Sequence, residues 1–410
     1  MGVDSSYVSI IIPTYNRAEL LEFTLLSLYK QSFSKKNFEV VVIDDCSRDE
    51  TLNVIKLLDP PFKLTVLQNK TNRGAAYSRN QGIKFAKGEI IIFLDEMLVD
   101  KDFIKGHLRY HEKENIVVTT AFSGQFIYSY SYPIFSKQQK KECRRNTKKM
   151  GGYKNKTSKK GVVRLFSPKE VIDHSALKFG LRDSHLLESY RTLQKLYGPY
   201  LEEMAAPWFL FVTNGISISR ELLRKAGFFD KNFNGAWLED WELGYRLYKA
   251  GATFYNADDI ACYHQTHPVT NRGVRMENYL YFAKKHPAIE VLLLAALTTK
   301  PFSWSFVRWG KIVTQFKTLK ELNSETHQEF ILAFQNLAQV LRWYVAELVN
   351  DRALPLLTFS EKGFNRWDPA FKNDVIKQLQ GLEKDPLLSV KYGDLIKSFK
   401  DLLCLPIQNS

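Results

Sequence analysis

The chain has 410 residues, 45% hydrophobic and 25% charged, enough for one large core or for a catalytic domain with a smaller appendage, and the second is expected. Its four cysteines, Cys46, Cys143, Cys262 and Cys404, lie far apart without a C-x-x-C spacing, which argues against a zinc site and a disulfide framework and for reduced thiols. The formal net charge of +14 suggests an anionic partner, yet Lys137 to Lys160 alone holds eleven Lys/Arg against Glu142, so most of the excess is local.

The first apolar run, Val8 to Ile12, is short and closed by Pro13, so no targeting signal is read and a cytoplasmic location is expected. Strand patterns at Tyr7–Ile12, Glu39–Ile43, Leu64–Gln68 and Ile90–Leu94 alternate with helical ones at Glu19–Gln31, Asp49–Leu58, Ala75–Ala86 and Lys101–Glu114. That alternation predicts a parallel sheet wrapped by helices. A Ser-x-x-Glu capping box, Ser47 to Glu50, is expected to open the second helix. Ile116–Thr120 continues the sheet, and the Tyr-rich, basic stretch from about 126 to 160 reads as a mobile loop. Phe166–Tyr200 reads as helical and Phe209–Ser219 as strand. Helices follow at Arg220–Ala226, closed by Gly227, and at Trp237–Ala250, then short strands at Thr253–Asn256 and Ile260–Tyr263. Beyond Pro268 helical periodicity dominates, so domains are placed at 1–275 and 276–410. Ile289–Leu297 is far shorter than the roughly 20 residues that span a bilayer. Trp304, Trp309, Trp343 and Trp367 are read as core or inter-domain packing, with a membrane interface at Phe302–Trp309 as the alternative.

The ligand crevice of such sheets lies beyond the carboxyl ends of the strands, and that is where the unusual residues fall. Pro13-Thr14-Tyr15-Asn16 closes the first strand with an aromatic face on which a flat base could stack. The second strand ends in Asp44-Asp45, which either caps the next helix or accepts from uracil N–H or a ribose hydroxyl. Asn72-Arg73-Gly74 and Ser78-Arg79-Asn80 place a glycine turn and an arginine at a helix start, suited to a diphosphate, with a solvated arginine as the less favoured alternative. The fourth strand ends in Asp95-Glu96, carboxylates suited to a divalent cation. Glu239-Asp240 enters a helix, either as a fixed general base or as ordinary N-terminal acids. His264 and His267 could complete a metal shell.

In this order the runs SIIIPTYNR, VVVIDDCSRDET, NRGAAYSRNQGI, GEIIIFLDE, NGISISRELLRKAGFFD and Glu-Asp-x-Glu-Leu-Gly-Tyr-Arg resemble family 2 glycosyltransferases across Ser9 to His267. The resemblance implies a GT-A fold, a mixed, mainly parallel sheet flanked by helices and followed here by a helical C-terminal region. It also implies a nucleoside diphosphate sugar, most often UDP-linked, attacked in one inverting displacement. By position, Pro13, Tyr15, Asn16, Asp44 and Asp45 match the base and ribose segment, Gly74 and Arg79 the diphosphate segment, and Asp95 its acidic neighbour. Asp240 matches the catalytic base, and Glu239 a residue that orients the acceptor. His264 and His267 match the region of a histidine metal ligand, His264 being favoured. Where an Asp-x-Asp is usual, this chain reads Leu94-Asp95-Glu96-Met97, so Glu96 is expected to take the ligand role for Mn2+ or Mg2+. The acceptor implied is a saccharide, lipid or peptide, of cell-surface glycan, glycolipid or secondary-product type.

The basic stretch is expected to touch that acceptor or an anionic membrane, which would make the protein peripheral at the inner face; a solvated loop is the alternative. The rival to catalysis is a nucleotide-sugar-binding scaffold with a degenerate acidic motif. A nucleic-acid partner is disfavoured because the basic residues form one segment rather than a stripe along a reader.

Overall fold

The computed structural model describes residues 6–149, 161–233, 235, 237–268, 276–298, 304–322, 325–349 and 369–403. These fall into two compact units, one within Met1–Tyr190 and Trp208–Gly273, the other within Arg191–Pro207 and Val274–Ser410.

In the first unit the chain runs β1 (Val8–Thr14), α1 (Ala18–Ser27), β2 (Phe38–Asp44), α2 (Thr51–Leu57), β3 (Lys63–Gln68), α3 (Ala75–Phe85), β4 (Ile90–Phe93), β5 (Met97–Val99) and α4 (Phe103–Leu108). It continues through β6 (Ile116–Thr119), β7 (Gln125–Ile127), β8 (Tyr130–Ser131), α5 (Lys137–Lys149), β9 (Val163–Arg164), α6 (Pro168–Ile172), β10 (Leu181–Arg182) and α7 (Ser184–Tyr197). It closes with β11 (Ile216–Ser219), α8 (Arg220–Ala226), α9 (Glu239–Lys249), β12 (Thr253–Asn256) and β13 (Cys262–Gln265).

The main sheet has the order β12-β6-β11-β4-β1-β2-β3, with β11 alone antiparallel to its neighbours. This is the expected GT-A arrangement. β2 and β4 are buried throughout and β1 almost so, as unbroken Val/Ile runs covered on both faces require, whereas β3 alternates because it is the edge. A Cβ on Gly82 would lie 2.5 Å from Ile11 and 2.8 Å from Ile43, so α3 rests directly on β1 and β2. That contact sets the N-terminus of α3 beside the carboxyl ends of those strands. A second sheet, β10-β7-β13-β5, carries His264 opposite Met97 and Phe126.

Three expectations need correction. The capping box at Ser47 does not form: Ser47 Oγ instead accepts from Asn16 N at 2.8 Å, tying the loop after β2 to the loop after β1. A complete capping box occurs at Ser167–Glu170, opening α6. Residues 126–149 are not a loop but β7, β8 and α5, because Tyr128, Tyr130, Phe135 and Cys143 bury themselves in one cluster with Phe23 and Leu165. Residues 150–160 lie outside the described residues. Finally, Phe209–Leu210 belong to a short 3-10 turn, and the strand begins only at Ile216.

His107 and His111 both bond the hydroxyl of Ser217 on β11, at 2.9 and 2.8 Å. Burial pushes the His107 imidazole from 6.5 down to about 3 and His111 down to about 4. Both stay neutral in the folded chain while the unfolded chain takes up protons below pH 6.5. Stability is therefore complete above that pH and falls as pH drops toward 4, by up to about 1.4 kcal/mol per pH unit for His107. Urea midpoints measured from pH 7 to 4 are expected to show this loss, reduced in the His107→Gln/His111→Gln chain; identical slopes would contradict it.

The second unit is helical, with helices at Met276–Lys285, Phe306–Glu321, Gln328–Val349, Pro369–Lys384 and Gly393–Leu403 joined by shorter turns. Phe316, Phe334 and Phe399 stack in its core. Leu193 and Met204 pack on Gly310, and Ala205 N donates to Thr314 Oγ1, which is why Arg191–Pro207 goes with this unit rather than with its neighbours in sequence. Trp304 and Trp309 are buried, but Trp343 is 37% exposed, so core packing does not account for it. Trp367 lies outside the described residues. Among the described residues no helix is long and apolar enough to cross a membrane.

Candidate active site

At the carboxyl edge of the main sheet lies a cavity of about 430 Å³, open to solvent. Pro13, Tyr15, Asp45, Gly74, Arg79, Asp95, Glu96, His264 and His267 all line it. Thr14, Arg17, Asn72, Ser78 and Asn214 line it too and were missed as site residues, although all but Asn214 sit beside a named motif residue and Asn214 opens one of the quoted runs. Tyr15, 43% exposed, presents its ring at the mouth. Gly74, at φ 83°, turns the chain into α3, so the N-terminal end of an 11-residue helix, with Ala75 and Ser78, borders the cavity.

Asp45 has both structural and open capacity. Its Oδ1 accepts from Asn69 Nδ2 at 2.7 Å and Arg73 N at 2.9 Å, and its Oδ2 accepts from Gly74 N at 2.7 Å. Three of about four lone-pair sites are thus used to hold the 69–74 loop, leaving one toward the cavity. Two neighbours behave otherwise. Asp44 is fully buried and accepts from Ser47 N, and Asn16 Oδ1 accepts from Arg48 N at 2.8 Å with its own φ at 51°. Neither lines the cavity; both shape the two loops, a correction to their expected place at the base or ribose.

The acidic edge centres on Arg79. Its guanidinium donates to Asp95 at 3.1 Å and to Glu239 Oε1 at 3.1 Å while the side chain is only 5% exposed. Burial opposes its charge, but Asp95, Glu239 and Asp240 together outweigh that and raise its pKa. Arg79 thus lines the cavity while its charge is shared between the end of β4 and the start of α9. Glu239 is buried on Arg79 and does not line the cavity, and among the described residues its Oε2 has no hydrogen-bond partner. Asn80 holds Phe229 by both its N–H and its carbonyl, and Phe229 supports the Arg79 plane at 5.5 Å.

Met97 is buried in β5, so Glu96 is the residue that reaches the cavity. Burial and the charge of Asp95 raise its carboxyl to about 7, with Arg17, 3.8 Å away, lowering it only in part. The His264 and His267 rings lie 5.4 Å apart on the same cavity. Among the described residues no three His, Cys, Asp or Glu side chains converge as a metal-ligand cluster.

The family model for glycosyl transferase family 2 matches residues 9–177. The chain is 32% identical over 339 residues to the uncharacterized glycosyltransferase YfnE of Bacillus subtilis, covering 82% of this chain and 83% of that one. The chain belongs to glycosyltransferase family 2. It is also 26% identical over 330 residues to validoxylamine A glucosyltransferase of Streptomyces hygroscopicus, covering 79% and 70% of the two chains. Among solved structures, Staphylococcus aureus TarS 1–349 with UDP-GlcNAc aligns at 18% identity and TM-score 0.43, covering 97% of this chain and 90% of that one.

The run from Glu239 to Arg246 combines a half-buried acid with positions held by packing and ion pairing. Asp240, half-buried and, like Glu239, not among the residues that line the cavity, accepts from Trp241 N at 2.8 Å, and burial and Glu239 raise its pKa above the usual carboxylate range. Trp237 and Leu238 precede it at φ 97° and 71°, conformations costly for side chains of that size. Gly244 is required because a Cβ would lie 2.6 Å from Trp208 O. Arg246 forks onto buried Glu242 and donates to the carbonyls of Ala226 and Phe228, pinning α9 to the end of α8. Lysine cannot reproduce that fork, so Arg246→Lys is expected to cost about 2 kcal/mol in urea unfolding. An unchanged midpoint would show that the fork contributes nothing.

Proposed function

We propose that this glycosyltransferase moves a sugar from a UDP-linked donor to an acceptor hydroxyl with inversion at the anomeric carbon. The observation that carries this reading is the single cavity that gathers Tyr15, Asp45, the α3 N-terminus and the Asp95-Glu96 edge. In it the uracil stacks on Tyr15 and meets the remaining acceptor site of Asp45, and the diphosphate lies against the amides following Gly74. Asp240 takes the acceptor proton, while Arg79 holds Asp95 and Glu239 in place.

The donor set supports a divalent cation. Asp95, Glu96 and the two imidazoles line the same cavity and are of the oxygen and nitrogen types that such a cation takes, although among the described residues no three of them converge, so ligands from the donor would have to complete the shell. Mn2+ or Mg2+ bound there would take remaining ligands from the diphosphate and offset its charge as it leaves. The cationic face of α5, with Lys137, Lys141, Arg144 and Arg145 exposed, supports peripheral contact with an anionic surface.

The test is a panel of nucleoside diphosphate sugars assayed for transfer and hydrolysis with Mn2+, Mg2+ or EDTA. UDP-sugars are expected to react in a metal-dependent way, and Glu96→Gln is expected to raise the metal concentration for half-activity about tenfold or more. Absence of turnover with every UDP-sugar in the presence of metal would sink the donor assignment.

A further inference from the structure

In the second unit, the helices Met276–Lys285 and Gln328–Val349 pack side by side and leave a groove of about 420 Å³. One helix lines it with Leu280, Tyr281 and Lys284, the other with Gln339, Arg342, Trp343 and Ala346. The second set recurs at i, i+3, i+4 and i+7, one face of the helix, beside the buried stripe Phe334, Ala338, Leu341 and Val345 that forms the core. The core is therefore complete without Trp343, which remains 37% exposed at the groove. Two cations line the groove and no carboxylate does.

We propose that this groove binds an anionic saccharide unit, a sugar carrying a phosphate or carboxylate. Aromatic rings cover the apolar face of a pyranose, the Arg342 fork and the Lys284 ammonium pair with the anion, and the Gln339 amide serves a hydroxyl from either side of its hydrogen-bonding range. The volume falls within the roughly 300–1,000 Å³ of small-ligand sites. Assigning the bound unit to the acceptor chain rests on the transfer reaction proposed above; saccharide binding itself does not.

The full chain, with UDP present to occupy the first cavity, is titrated with glucose 6-phosphate, glucose and inorganic phosphate while tryptophan fluorescence and saturation-transfer NMR are recorded. Glucose 6-phosphate is expected to bind more tightly than either half alone. Arg342→Gln and Trp343→Leu are each expected to weaken it about tenfold, with UDP affinity and helical circular dichroism unchanged. The double Lys284→Gln/Gln339→Ala chain, altered only at exposed positions, gives an independent reading and is expected to weaken it as well. Equal affinities for all these chains, equal affinity for glucose and glucose 6-phosphate, or loss of binding only on neutralising Lys141, Arg144 and Arg145 of α5 would overturn the proposal. Failure of UDP to bind, with glucose 6-phosphate binding retained, would instead count against the donor reading.

Discussion

Arg79→Gln is expected to lower the stability of the first unit by about 3–5 kcal/mol, because it leaves the Asp95 and Glu239 carboxylates without the cation that both share. Both lie largely out of solvent, Glu239 at 3% exposure, and among the described residues one of its oxygens already lacks a partner. Glu239, at the start of α9, cannot recover by turning into bulk water without moving that helix. Urea unfolding of Arg79→Gln, Glu239→Gln and the double variant measures the effect as a cycle. The double variant is expected to recover part of the loss, since it removes one of the orphaned charges. Strict additivity would show that Arg79 and Glu239 do not interact.

Asp240→Asn is expected to reduce transfer by about 10²–10⁴-fold, the usual worth of a positioned general base, while leaving UDP affinity nearly unchanged. Asparagine keeps the oxygen that accepts from Trp241 N, so the helix start should survive. The raised pKa of Asp240 adds a pH signature: the base is active as a carboxylate, so the ascending limb of the rate profile should lie above the ordinary carboxylate range. Transfer undiminished in Asp240→Asn would remove it from the proton-taking role.

The sheet was legible because its central strands are buried on both faces and read as uninterrupted Val/Ile runs, and because Gly74 and Gly227 mark the turns around helices. The cavity was legible for a related reason: residues at the carboxyl ends of β1, β2 and β4 must meet once the strands are parallel. What the sequence could not show is how much of each polar side chain is spent internally. Asp44 and Asp45 are adjacent and identical in type, yet one closes its own turn and the other reaches the cavity, a difference set by the 69–74 loop packed from elsewhere in the chain. Arg79 and Glu239 are separated by 160 residues, so their pairing leaves no local pattern. The tyrosines near 128 and 130 misled for the opposite reason. Beside so many lysines they suggested an exposed loop, whereas the rings are the buried anchor from which the basic helix α5 projects.

Calorimetric titration of UDP in the presence of Mn2+ into the wild-type chain and Tyr15→Ala tests the donor cavity most directly. Tyr15 is exposed and outside the core, so its removal should leave folding intact. Saturable 1:1 UDP binding weakened about tenfold or more in Tyr15→Ala is the predicted result, given that a stacked base is worth roughly 1–3 kcal/mol. Equal UDP affinity in the two chains, or no binding to the wild type, would contradict it.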